Sequence, residues 1–200
     1  GDGLFDPRAG LEAVDALVGD RTFADLRIPL ALTAVDLETG EALALDAGAL
    51  RPALHAAVAI PGLFPPVRLG ERPLADGGVV DPVPVGLARR LAPGLLAVAV
   101  AIAPPHGRWS EHRLPQRLAG LPLARLAARW RPARALDAFL RASDLTHRRL
   151  LEARLAIDRP EILVRPEVPV LDVFQAVDVD ALVRAGEHAA EEALASLGGG

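Results

Sequence analysis

The sequence predicts an α/β layered fold, and three observations predict it. Segments with apolar residues at helical spacing alternate along the chain with short apolar runs of strand length. One run, Leu95 to Ala103, is apolar throughout, the pattern of an interior parallel strand. Glycine or proline stands at the ends of most of these segments, where a helix or strand has to stop.

The elements follow in order. Leu11, Val14, Leu17 and Val18 set a helical period from Pro7 to Val18, with Asp6 as N-cap, Pro7 at the first helical position and Gly19 as the stop. Ile28 to Leu37 reads as a largely buried strand. Glu38-Thr39-Gly40 turns it into a second strand, Glu41 to Leu45, so the two form a hairpin. Leu50 to Ile60 is alanine-rich and helical until Pro61-Gly62 ends it. Leu63 to Asp76 holds two short extended pieces about a turn at Gly70, and Asp81-Pro82 starts a helix that runs to Leu91. After the strand at Leu95, leucines and alanines recur at helical spacing from Leu114 to Leu155. Ile162 to Arg165 is a last short strand, and Val179 to Leu197 a closing helix. The whole reads as one domain over 1–200. Its sheet portion is 1–103, an arginine-rich helical segment is 104–150, and a C-terminal strand and helix fill 151–200.

Composition narrows the function classes. With 51% hydrophobic residues, 200 residues can bury a sizeable core. Cysteine is absent, which excludes disulfides, thiolate metal sites and a cysteine nucleophile. The net charge of −4 gives no nucleic-acid footprint, and no apolar run reaches the roughly 18 residues of a spanning helix. A cytoplasmic location is expected. The chain opens on Gly1 instead of methionine, so its natural beginning, and any signal there, is expected to lie upstream. All 22 basic residues are arginine. Ten of them fall in 104–150 against three acids, a local balance of +7 that leaves −11 for the rest. With Trp109, Trp130 and Phe139, this segment has the composition of an amphipathic cap on an anionic lipid surface; the competing reading is a set of helices covering the sheet with arginines in water.

Chemistry concentrates at Asp76-Gly77-Gly78. Asp-Gly pairs commonly make turns, because glycine accepts backbone angles that other residues resist. Here the pair is followed by a second glycine, an apolar pair and a helix start, so another group can approach the carboxylate closely. A general base needs such access, within about 2.6–3.2 Å of the proton that it takes.

The stretch Ala59-Ile60-Pro61-Gly62-Leu63-Phe64-Pro65-Pro66, followed by Leu74-Ala75-Asp76-Gly77-Gly78-Val79-Val80-Asp81-Pro82-Val83-Pro84, resembles the patatin-like phospholipase signature. Thr22 to Leu30 and Asp36-Leu37-Glu38-Thr39-Gly40 fit bacterial members of that family. The resemblance implies a three-layer α/β/α patatin-like fold with a mostly parallel central sheet, here with its N-terminal part missing. It also implies a serine–aspartate dyad acting on lipid acyl esters such as phospholipids, without metal or organic cofactor. The dyad aspartate falls on Asp76, with Gly77 and Gly78 shaping its turn. Ala57 stands where many relatives have serine and Asp81 where many have asparagine, though Asp81 is still expected to cap its helix.

The nucleophile is missing. Neither a G-x-S-x-G elbow nor a glycine-rich oxyanion loop occurs, and the three serines, Ser110, Ser143 and Ser196, lie outside any glycine turn. Without a nucleophile no acyl-enzyme forms, so these 200 residues are expected to be inert by themselves. The alternative reading is a catalytically inactive lipid-binding or interaction module. Ser143, Asp144 and His147 are near in sequence but read as a helix surface. His55 reads as a packing residue or the holder of a local hydrogen bond, and His106, His112 and His188 lack metal-ligand spacing.

Overall fold

A computed structural model of the chain describes residues 8–102, 131–168 and 178–195, and they are of mixed α/β class. The order is α1 (Arg8–Val18), a 3-10 turn (Phe23–Asp25), β1 (Leu32–Asp36), β2 (Ala42–Leu45), α2 (Leu50–Ala57), β3 (Val67–Leu69), β4 (Arg72–Asp76), a 3-10 turn (Gly77–Val79), α3 (Val85–Leu91) and β5 (Val98–Val100). Then come α4 (Arg131–Asp158), β6 (Ile162–Val164) and α5 (Val179–Ala195). Trp109, Trp130, Ser110, Ser196, His106, His112 and Arg129 lie outside the described residues. Two compact units result: Gly1–Ala97 with Ala153–Arg159, and Val98–Glu152 with Pro160–Gly200.

The first unit is built on a four-stranded sheet in the order β2-β1-β4-β3, all antiparallel. Two tight turns account for it. Gly40 and Gly70 take φ of +73° and +63°, angles open to glycine, and each closes a hairpin between strands too near in sequence for any crossover. A mostly parallel sheet therefore does not describe these strands. The parallel pairing lies in the second unit, where β5 runs alongside β6 with Ala99 opposite Leu163.

Several boundaries moved for local reasons. The strand expected from Ile28 begins only at Leu32; Pro29 has no N–H to donate, and Ile28 is exposed. α2 stops at Ala57 because Ile60 precedes a proline, which disfavours helical angles, and the Ala59 carbonyl is taken by a distant strand. α3 begins at Val85 and not at Asp81, and Pro84 stands at its N-cap. Val83, held between Pro82 and Pro84, is steered away from the helical region. Asp81 consequently does not cap α3.

α2 lies on the sheet through small side chains. Phe23, Leu50 and Ala53 form one buried cluster, and Ala34, Ala56 and Leu74 another. Leu50 and Leu74 are almost wholly enclosed, a burial that contributes about 1.5–3 kcal/mol for each side chain. α1 is fastened to α2 by Asp15, which meets His55 Nε2 at 2.7 Å and Arg51 Nε at 3.6 Å. In the second unit Ile162, Val164 and Ala189 make the core between β6 and α5. Along β5 the alanines Ala97, Ala99 and Ala101 are buried, whereas Val98, Val100 and Ile102 are 56%, 52% and 68% exposed. No described helix is long and apolar enough to cross a membrane.

Candidate active site

Asp76 is the last residue of β4, a central strand of its sheet. Its backbone is held from both sides. On one side it stands opposite Ala34 in the β1 ladder. On the other its N–H donates to the Ala59 carbonyl at 3.0 Å, so the segment that follows α2 buttresses the end of β4. The two stretches of sequence that carry the resemblance, around Ala59 and around Asp76, thus meet through one backbone bond.

Beyond Asp76 the chain turns at once. Gly77, Gly78 and Val79 form a single 3-10 turn, and the Gly77 carbonyl accepts from the N–H groups of Val80 at 3.0 Å and Asp81 at 2.9 Å. The turn lies hard against β1. A Cβ on Gly77 would stand 2.7 Å from the Thr33 carbonyl carbon and Cβ and 2.8 Å from the Ala34 nitrogen, all within forbidden contact. Gly77 is therefore required by space.

The second glycine has a different part. Its N–H donates to Asp76 Oδ1 at 2.8 Å, so the turn fixes the carboxylate that begins it. Asp76 is half-buried, and among the described residues no other group bonds its carboxylate. Among the described residues, one oxygen is thus held by the protein's own backbone and the other is not. Such an arrangement is chemically suited to a base, because a held oxygen sets the orientation in which the second can take a proton.

Asp81, five residues on, has a harder environment. Burial pushes its carboxyl above the ordinary 3.8, the Arg154 guanidinium pulls it back, and Asp158 pushes it up again. The Val83 N–H and the charge of Arg90 lower it further, yet burial wins. Arg154 Nε is 3.9 Å from Asp81 Oδ1, too long for a hydrogen bond, and that oxygen is buried without a hydrogen-bond partner among the described residues. Sequence reading missed Arg154 altogether.

Each remaining candidate has surroundings of its own. Ser143 is exposed on α4, Asp144 is half-buried and pairs with Arg148 one turn along at 3.0 Å, and His147 is exposed, so the three belong to a helix surface. His55 pairs with Asp15, and His188 lies 3.3 Å from Glu192. Ala57 closes α2 with no polar group to offer. Among the described residues no three of His, Asp and Glu gather closely enough to hold a metal ion.

Comparison with known proteins gives this geometry relatives. One relative, an uncharacterized NTE family protein of Mycobacterium tuberculosis, is 37% identical over 83 residues, which are 42% of this chain and 23% of the relative. A second uncharacterized NTE family protein of the same species is 29% identical over 175 residues, 80% of this chain and 27% of its own length. Mycobacterium bovis carries counterparts of both at the same identities. The chain thus spans about a quarter of the length of these relatives. The family model described as patatin-like phospholipase matches residues 1–89, which include Ala59, the Asp76 turn and the β1 backbone that it rests on, and over these residues the chain is similar to that family.

Proposed function

We propose that this chain supplies the aspartate of a serine–aspartate acyl hydrolase that acts on lipid esters, and that the serine lies in a longer protein. The observation that supports this most is the Asp76 carboxylate, with Oδ1 tied to the Gly78 N–H and its second oxygen unclaimed among the described residues, at the end of a central strand. The reaction follows the usual covalent course. Asp76 takes the proton of a serine hydroxyl as the serine oxygen attacks the ester carbonyl. The proton passes to the departing alcohol as the acyl–oxygen bond breaks. Water, deprotonated by the same carboxylate, then cleaves the acyl-serine and releases the fatty acid. Phospholipids are the substrate class favoured by the family's description. Nothing in the scheme calls for a metal or an organic cofactor.

The absence of a G-x-S-x-G elbow from these 200 residues favours one other reading, a catalytically inactive lipid-binding module. A fluorophosphonate probe separates the two. It should label a longer protein carrying the elbow and leave the 200-residue chain unlabelled. In that longer protein Asp76→Asn should abolish ester turnover and keep the fold; full turnover in the variant would rule out Asp76 as the base. Peripheral contact of the arginine-rich 104–150 segment with anionic lipid is part of the same proposal. Co-sedimentation with anionic vesicles that weakens with added salt, and with Arg129, Arg131 and Arg134→Glu, checks it.

A further inference from the structure

We infer that Arg154, on the last turns of α4, is a positioning residue for the Asp76 carboxylate; the inference rests on the acyl-hydrolase reading above. Asp76 enters its turn with the N–H fixed on Ala59, and Gly77 is wedged against the backbone of Thr33 and Ala34. The exit of the turn is held differently. Gly77's carbonyl gathers the N–H groups of Val80 and Asp81, and the Val80 carbonyl then receives both Nε and Nη2 of Arg154, at 3.3 and 3.1 Å. One planar guanidinium thus closes on a single carbonyl with two donors, and its charge lies 3.9 Å from Asp81. The helix bearing it is fixed in turn. Arg89 of α3 donates to the carbonyls of Asp158 and Arg159, groups at a helix end that have no partner within the helix.

The turn is consequently held at three points: Ala59, β1 and Arg154. Removing the third leaves the entry of the turn in place and frees its exit. The Gly78 N–H lies between those two ends, and it is the donor that orients Oδ1. Loss of Arg154 should therefore let the carboxylate wander by a fraction of an ångström while β4 and its sheet persist. Such an error acts on the reaction and not on substrate binding.

The test has two arms. In a longer protein that carries the nucleophile, Arg154→Ala should lower kcat by about 10-fold with KM little changed, a part of the roughly 100-fold that a 1 Å misplacement costs. Arg154→Lys, with one donor group in place of two, should recover part of the loss. In the same longer protein, Arg154→Ala should speed amide exchange at Gly78 while leaving the amide of Gly19, at the end of α1, as it was. Unchanged kcat in Arg154→Ala, in an enzyme that Asp76→Asn inactivates, overturns the positioning role and leaves the hydrolase reading standing. Retained turnover in Asp76→Asn overturns the hydrolase reading instead. Equal acceleration at Gly78 and Gly19 would mark Arg154 as a general stabiliser and also overturn the inference. Should Arg154→Ala fail to fold, Arg154→Gln, which keeps a donor on a shorter side chain, carries the same measurements.

Discussion

Asp81 pays for its position with a carboxylate that burial makes harder to ionise, and Arg154, the Val83 N–H and Arg90 offset the cost only in part. The sign follows from linkage. Its folded pKa lies above the ordinary 3.8, so the native state holds the proton more tightly than the unfolded chain. Its favourable contribution is complete below 3.8 and is lost as pH rises through the folded value. Above that value the ionised group is a net burden. Asp81→Asn should raise the urea midpoint at neutral pH, and the gain should shrink as pH falls towards 3.8. A midpoint unchanged by the substitution at neutral pH would show that Arg154 balances the burial fully. At this scale the turn at Asp76, Gly77 and Gly78 was legible in sequence, because two glycines after an acid mark the space that such a turn needs. Arg154 was not. It stands 74 residues from Val80, and one arginine among 22 carries no local mark of the carbonyl that it holds.

Between elements, the decisive contact is the approach of the 3-10 turn to β1. Backbone atoms of Thr33 and Ala34 occupy the space that a methyl group on Gly77 would need, and a ladder strand cannot retreat from its partners. Gly77→Ala should cost about 1–3 kcal/mol, read as a lower urea midpoint for the first unit. A midpoint within error of the parent would mean that the turn can lift from β1. Hairpins at this scale were readable because glycine marks their turns, as at Gly40 and Gly70. Helix starts were read less well. Asp81-Pro82 has the look of a cap, but Pro84 two residues on postpones the helix to Val85. The shortened β1 has a similar origin, in a proline that cannot join a ladder.

For the molecule as a whole, the α/β class was visible in the alternation of periods, whereas strand direction was not. Direction depends on which strands pair, and β1 pairs with both its hairpin partner β2 and the more distant β4. The parallel character expected of the run at Leu95 does appear, since β5 pairs in parallel with β6. Its outer face is nonetheless open among the described residues. Val98, Val100 and Ile102 make an apolar strip on a sheet of two strands, with ladder edges that invite pairing. The chain expressed alone should therefore aggregate. Replacing Val98, Val100 and Ile102 by threonine should raise its soluble yield, measured by sedimentation of the lysate; no gain would place the liability elsewhere.

The first unit is interrupted: Ala153–Arg159 belong to it, although they follow the whole of Val98–Glu152. On a ribosome the acid and its two glycines emerge early, and the arginine that grips their loop emerges 74 residues after Val80. At ordinary elongation rates that interval is roughly 4–15 s. Throughout it the nascent chain already carries its carboxylate but cannot yet hold it in place, so the site reaches its final form only as the last stretch of α4 is translated.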